Sequence, residues 1–561
     1  MRYEKLAQVY DSLSKTTKRL EKIEILSNFF EELNESEVLY LLVGEIYPDY
    51  REEKIGISSQ LVIKAISKAT GSEKDKVIEE WKNIGDLGKV AEKLTKNKKQ
   101  TTLQSYTLTT QKVLDNLRKL PVLEGEGTVD KKIALITELL TSASSLEALY
   151  LTRTLMNDLR IGIQESTIRD ALSQCFFNKS EDSLQMIQDA LNKSNDLAEI
   201  FEISKKKKLD EFKKIKIIVG KPIKVMLAQK ARDVKEGFEA VGKPCALEYK
   251  YDGFRLVIHK KEDKITLFTR RLENVTSQFP EVVEYVKEHV KGKSFIIDSE
   301  LVGYDKKNHE YKPFQEISQR IRRKYEIEKL MKELPVEVNV FDVLFYNGQS
   351  TVELPFRERT KIVREIVLPE PFKIICAKQI ITSDDNEAEK FYKEALKNNQ
   401  EGVMMKNLDA IYNPGSRVGH MLKIKPDERD YDLVITGGEY GTGKRSGWIS
   451  SFVLSCKNGE NFLEIGKVGT GFKEKKEEGV SFEELTEKIK PLILKEDGKN
   501  VSIKPEIVVS VTYQEIQASP TYSSGFALRF PRFKDLRPDK PLSEITSLDE
   551  VKEDFNGQKR I

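Results

Sequence analysis

The chain has 561 residues, 39% of them hydrophobic and 33% charged, and a net charge of only +3. That length predicts several domains rather than one core, and no apolar run approaches the roughly 20 residues needed to span a bilayer. Four scattered cysteines (Cys175, Cys245, Cys376, Cys456) and four widely spaced histidines form no CxxC or His pair, which argues against a disulfide framework and a structural zinc.

The opening segment, MRYEKLAQVYDSL, is amphipathic and lacks the apolar core of a signal peptide, so a cytoplasmic location is expected. Residues 1–216 read as an all-helical domain. Leu61, Val62, Ala65, Ile66 and Ala69 make one apolar face that Gly71 is placed to end. Ser144 and Glu147 have capping-box spacing, and the helix they start carries Leu151, Leu155 and Leu159 until Gly162 stops it. In RIGIQESTIRDAL, Arg160 and Gly162 lie where one helix ends and another begins near Ser166, a place whose backbone N–H groups suit phosphate. The basic run KKKKLDEFKKIK (205–216) reads first as a solvated linker.

Residues 217–426 mix strands and helices in an α+β pattern without a Walker A or Rossmann fingerprint. In CALEYKYDGFRLVIHK (245–260), Phe254, Leu256 and Ile258 alternate with Arg255, Val257 and His259, which predicts a strand. Gly253 marks a tight turn or a close backbone approach. Lys250, Asp252 and Arg255 would then surround one small volume. ITLFTR (265–270) and FIIDSELVGY (295–304) predict strands, with a helix over 280–290 between them. Glu300 and Glu401 are carboxylates in apolar, strand-like surroundings, hence ion-paired or functional. Lys423 and Lys425 alternate in MLKIKPD so that both face one side. From 427 to 561, short strand-like runs separated by glycine-rich turns such as GTGKRSG (441–447) suit a small barrel of the OB type. RFPRFKDLRPDK (529–540) packs Arg529, Arg532, Lys534, Arg537 and Lys540 into a short span.

KYDGFR resembles the nucleotidyl-lysine motif of the covalent nucleotidyltransferases. FIIDSELVGYD, VFDVLFYNG, EGVMMKN, MLKIKPD and RFPRFKDLRPDK follow in the order of that superfamily, and TLMNDLRIGIQESTIRDAL (154–172) is similar to the DNA-binding domain of archaeal and eukaryotic replicative DNA ligases. The absence of a four-cysteine module sets the chain apart from NAD-dependent bacterial ligases. The resemblance implies an ATP-dependent DNA ligase that seals nicks in replication, repair and recombination. It implies a helical DNA-binding domain (1–216), an adenylation domain (217–426) and an OB-fold barrel (427–561).

By that resemblance, Lys250 is the nucleophile on ATP, and Lys423 and Lys425 contact the α-phosphate. Glu248 reads the adenine edge and Phe341 stacks on the base. Arg255 and Arg270 hold ribose and phosphate, with Arg417 nearby. Glu300 approaches the ribose and, with Glu401, holds Mg²⁺ or Mn²⁺, while Arg537, Asp539 and Lys540 grip the pyrophosphate. Nicked double-stranded DNA is the partner, with contacts at Arg160 and Gly162, and a monomer is expected. An RNA ligase or capping-type guanylyltransferase, or a non-catalytic DNA-binding scaffold, is the alternative. QTTLQSYT (100–107) places Gln100, Leu103 and Tyr106 at the spacing of a sliding-clamp-binding peptide, although Thr107 replaces its second aromatic. The abundance of Lys and Glu fits a heat-adapted protein.

Overall fold

A computed structural model describes the chain except residues 49, 52, 97–106, 126, 323–324, 427–428, 442–444, 446, 474–479 and 559–561. Gln100, Leu103, Tyr106 and most of the GTGKRSG turn therefore lie outside the described residues. Met1–Lys425 and Pro426–Ile561 form two compact units. Among the described residues no helix is long and apolar enough to cross a membrane.

Among the described residues, twelve α-helices run from Tyr3–Ser14 to Leu197–Lys205 around one apolar core. Val62, Ala65, Ile66 and Ala69 are buried, and Gly71 ends their helix in the left-handed conformation (φ 68°). Ser144 and Glu147 make the reciprocal capping box of helix Ser145–Leu155. The predicted stop at Gly162 is corrected: that helix ends at Leu155, and Asn157 and Arg160 take positive φ before Gly162 does. Leu159 thus belongs to a loop whose carbonyls at Ile161 and Gly162 accept from the buried Lys22 ammonium at 2.7 and 2.8 Å.

The linker reading of 205–216 is also corrected. Its first lysine closes helix Leu197–Lys205, and a 3₁₀ turn at Leu209–Lys214 buries Phe212 in the helical core. Several of its lysines pair locally, Lys213 with Asp210 and Lys206 with Glu211.

The middle of the chain supplies β1 (Leu227–Lys230), β2 (Cys245–Lys250), β3 (Phe254–Lys261), β4 (Lys264–Thr269), β5 (Ser294–Tyr304), β6 (Tyr311–Lys312), β7 (Val336–Tyr346), β8 (Gln349–Ser350), β9 (Ile374–Cys376), β10 (Gln379–Thr382), β11 (Gly402–Asn407) and β12 (Arg417–Ile424). Among the described residues one sheet runs β1-β12-β11-β2-β10, and the other β4-β3-β5-β7-β8 with β6 on β5 and β9 on β7. The strands alternate between two cores. Leu247, Val403, Met405 and Leu422 pack under helices Val234–Val241 and Asp385–Lys397, around Phe238 and Phe391. Leu256, Ile258, Ile297 and Val338 pack under helices Pro280–His289 and Phe356–Ile366. The alternate residues of both sheets face each other, because side chains in a strand point to opposite faces.

β2 and β3 are therefore no hairpin. The strand stops at Lys250, and Tyr251–Gly253 carries the chain from one sheet to the other. A Cβ on Gly253 would sit 2.3 Å from the Leu301 carbonyl oxygen of β5, so only glycine fits this crossing. The helical and middle regions are joined by Lys224–Glu165 (2.5 Å), Lys221–Glu199 (2.7 Å) and the Asn195 amide on the Pro222 carbonyl (2.7 Å).

In Pro426–Ile561 the strands are β13 (Arg429–Tyr440), β14 (Ile449–Asn458), β15 (Asn461–Val468), β16 (Ile493–Asp497), β17 (Asn500–Ile503), β18 (Val508–Tyr513), β19 (Ile516–Ala518), β20 (Phe526–Leu528) and β21 (Arg532–Leu536). Long β13 pairs β14 on one edge and both β17 and β18 on the other, and β21 adds to β18. The resulting curved antiparallel sheet closes over Leu433, Ile435, Phe452, Leu454 and Val511, consistent with an OB-type barrel.

Candidate active site

The facing surfaces of the two sheets gather most of the predicted site. Lys250 ends β2, opposite Gly402 of β11, and its ammonium forms an ion pair with the Glu401 carboxylate. The Glu401 backbone N–H donates to the Lys250 carbonyl at 2.9 Å, which locks the two residues in register. Burial pushes Glu401 up, but Lys250 holds its carboxyl below the ordinary value.

Lys423 lies on the same face, opposite Met404, and Lys425 follows two residues on. Burial lowers the Lys423 pKa, and Lys250, Arg417 and Lys425 lower it further. Arg270, in the turn after β4, is lowered by partial desolvation and by the neighbouring Arg255 and Arg417. Arg417 itself donates to the Ala228 carbonyl at 2.8 Å. Cations gathered across two facing sheets make a site suited to a polyanion.

Glu300 stands opposite Arg255 in the β3–β5 pair. Burial raises its carboxyl to about 8, against the pull of Lys250 and Arg255. Arg255 has become part of the frame. Its Nε reaches one Asp298 oxygen at 2.8 Å and its Nη2 the other at 2.5 Å, while Nη1 donates to the Met226 carbonyl at 2.6 Å and Nη2 to the Tyr412 hydroxyl at 3.1 Å. Four of its five donors are thereby committed within the protein, which leaves at most one for a ligand.

Phe341 is the extra residue of a β-bulge. Asp298 of β5 faces Asp342 and Ser299 faces Val340, so Phe341 has no partner and turns into the space between the sheets. There its ring lies 4.8 Å from the Lys406 ammonium, which is 2.5 Å from the Glu248 carboxylate. The pyrophosphate candidates lie in the C-terminal unit and are already organised. Arg537 grips Asp432 at 3.0 and 2.9 Å and Asp539 at 3.0 and 2.9 Å, and Lys540 reaches Asp432 at 2.8 Å. In the helical region Arg160 is held by Asp158 (2.7 Å) and by the buried Asp86 (3.1 Å).

Three family models match the chain: the DNA ligase N terminus over residues 2–173, the ATP dependent DNA ligase domain over 225–425, and the ATP dependent DNA ligase C terminal region over 445–540. The DNA ligase of Nanoarchaeum equitans is 45% identical over 100% of this chain and 99% of its own length, and that of Thermococcus fumicolans is 39% identical over the same shares. The chain belongs to the ATP-dependent DNA ligase family. The solved structure titled Pmar-Lig_PreS3 has the same fold, with a TM-score of 0.57 at 17% identity over 95% of this chain and 99% of that one.

Several residues of this ligase were not singled out from the sequence. Asp298 sits in the predicted strand FIID, where a carboxylate among isoleucines is the available clue; it is fully buried. Tyr412 bridges Asp298 (2.9 Å), Arg255 and the Met226 N–H (3.0 Å). Lys406 and Asp432 complete charge pairs formed by residues far away in sequence, for which the sequence carries no local signal.

Proposed function

We propose that this ligase seals nicks in double-stranded DNA by passing AMP through Lys250. The observation that carries this reading is the placement of Lys250: it ends β2, paired with Glu401, beside Lys423 of β12. Lys250 Nζ, once deprotonated, attacks the ATP α-phosphorus, the bond to the bridging oxygen breaks, and pyrophosphate leaves. The 5′-phosphate of the nick then takes AMP from the lysine, and the 3′-hydroxyl displaces AMP to close the strand. Each step is an in-line phosphoryl transfer, so positioning and charge neutralisation dominate.

Phe341 stacks on adenine and Glu248 meets its edge. Lys423, Lys425, Arg270 and Arg417 surround the phosphates, while Arg255 shapes the ribose side through Asp298. Glu300 and Glu401 suit a hard divalent cation, Mg²⁺ or Mn²⁺, which needs one or two carboxylates beside substrate oxygens. Among the described residues no cluster of three or more His, Cys, Asp or Glu forms a dedicated metal cage. Such an ion, when bound, neutralises charge on the departing pyrophosphate.

In this reading residues 1–216 bind DNA, 217–426 adenylate, and 427–561 supply Arg537, Asp539 and Lys540 to the triphosphate. The protein acts as a cytoplasmic monomer, and Gln100, Leu103 and Tyr106 engage a sliding clamp. Incubation with α-labelled ATP followed by mapping of the modified residue tests the core of the proposal. Label on Lys250, lost in Lys250→Ala and in the permanently protonated Lys250→Arg, is the expected result. Label on another residue would overturn it.

A further inference from the structure

One buried charge pair between the sheets lies outside the phosphate cluster. Glu248 of β2 and Lys406 of β11 are 3% and 5% exposed. The Lys406 ammonium lies 2.5 Å from one Glu248 oxygen and 4.8 and 4.6 Å from the ring centres of Phe341 and Phe356. The other Glu248 oxygen accepts from the Gln379 amide at 2.7 Å. That amide is oriented by Thr360 at 3.2 Å and by Arg364, which donates to its carbonyl oxygen at 3.1 Å. A pair buried this deeply is poor evidence for stability, since desolvation offsets its attraction. Its place beside the bulged Phe341 suggests another role.

An ionised carboxylate only accepts hydrogen bonds, whereas a protonated one also donates. Adenine presents a 6-amino donor and guanine a 6-oxo acceptor at the same position. Glu248 can therefore tell them apart only while it is ionised, and a buried carboxylate without a cation neutralises instead. Among the described residues, other cations around it have carboxylates of their own: Lys250 is paired with Glu401, Arg359 of helix Phe356–Ile366 with Asp342, and Arg255, 5.4 Å from the Phe341 ring centre, with Asp298. The Tyr251 hydroxyl, which burial and then the carboxylates of Glu337 and Glu248 keep protonated, supplies no positive charge.

We infer that Lys406 is a positioning residue that sets purine choice, keeping Glu248 ionised so that the 6-amino group of ATP is accepted and the 6-oxo group of GTP is repelled. The inference rests on adenine lying against Phe341. The selectivity it describes belongs to the lysyl-nucleotide step and does not concern DNA.

The test is single-turnover formation of the enzyme–nucleotide adduct by the full chain, with α-labelled ATP and GTP, between pH 6 and 9. In the wild type the ATP-to-GTP rate ratio should stay flat. In Lys406→Met it should fall at least about tenfold at pH 6 and recover toward pH 9, while Lys406→Arg retains it. Glu248→Gln, which both donates and accepts at every pH, should lower the ratio without pH dependence. In the neutral double variant Glu248→Gln/Lys406→Met the ratio should match that of Glu248→Gln alone. The double variant carries no unpaired buried charge, so it keeps the inference testable if Lys406→Met does not fold.

Equal losses with both nucleotides in Lys406→Met, or a ratio in the double variant lower than in Glu248→Gln, would overturn the role of Lys406. An unchanged ratio in Glu248→Gln would instead overturn the placement of adenine, a distinguishable failure.

Discussion

Glu300 is a side chain whose protonation state the fold changes. Burial lifts it from 4.5 to about 8, so the folded protein keeps a proton that the unfolded chain has already released. Stability must therefore fall as pH rises from about 4.5 to about 8, because over that range the native state binds more protons than the unfolded one. Removing the charge removes the penalty. Glu300→Gln should match the wild type near pH 5 and exceed it near pH 9, by on the order of 1–3 kcal/mol once partial exposure is allowed for. Thermal melts of the nucleotide-free proteins across that range measure the difference, and a gap that stays constant would show Glu300 already ionised at pH 5. The same variant should lose adenylation, since an amide cannot ionise to hold the divalent cation that the reaction is proposed to use. The site thus holds a carboxyl whose ionisation the fold makes costly, a cost that fits a functional rather than a packing role.

At the scale of elements, the crossing between the two sheets depends on backbone approach. Gly253→Ala would push a Cβ to 2.3 Å from the Leu301 carbonyl oxygen, so β2 or β5 must move and Lys250 with it. A loss of about 2–4 kcal/mol in urea unfolding is expected, together with loss of lysyl-AMP formation. A variant of wild-type stability and activity would show that the crossing is slack. Tyr412→Phe tests the network behind the site. It strips a partner from both Asp298 and the Met226 N–H, which should cost about 1–3 kcal/mol.

These elements also show what could be read from the sequence. Strand periodicity predicted β3, β4 and β5 closely, and the ordered motifs singled out Lys250, Glu300, Glu401 and Lys423 before any geometry. The sequence did not show that β2 and β3 belong to different sheets, because alternation around a glycine looks the same in a hairpin and in a crossing. Nor did it reveal the bulge at Phe341, which depends on how Asp298 and Ser299 pair across β5 and β7. Gly162 misled for a local reason. Asn157 and Arg160 also adopt positive φ, so the chain left the helix before the glycine that seemed to end it.

At the scale of the whole molecule, the question is what the C-terminal unit adds to the chemistry. Its basic segment is not a bare positive surface: Asp432 gathers Arg537 and Lys540, and Asp539 closes on Arg537. Arginine held in a carboxylate fork is presented with its remaining donors fixed, which favours a specific anion over a diffuse one. If that anion is the pyrophosphate of ATP, the contacts matter only while the triphosphate is present. Arg537→Ala or Asp539→Ala should then slow lysyl-AMP formation by two to three orders of magnitude, the equivalent of about 3–4 kcal/mol of transition-state stabilisation. Sealing of a nick that already carries 5′-AMP should be far less affected. Asp432→Asn, which removes the carboxylate that both cations share and leaves Arg537 on Asp539, should fall between wild type and Arg537→Ala in the first step. A coating that merely attracts the DNA backbone makes a different prediction: all three variants would weaken DNA binding, soften its salt dependence and slow both steps alike. Single-turnover assays with ATP, and with pre-adenylated nicked DNA, separate the two accounts. Equal slowing in both assays would leave the cluster as a DNA-binding surface, with no part in the attack of Lys250 on ATP.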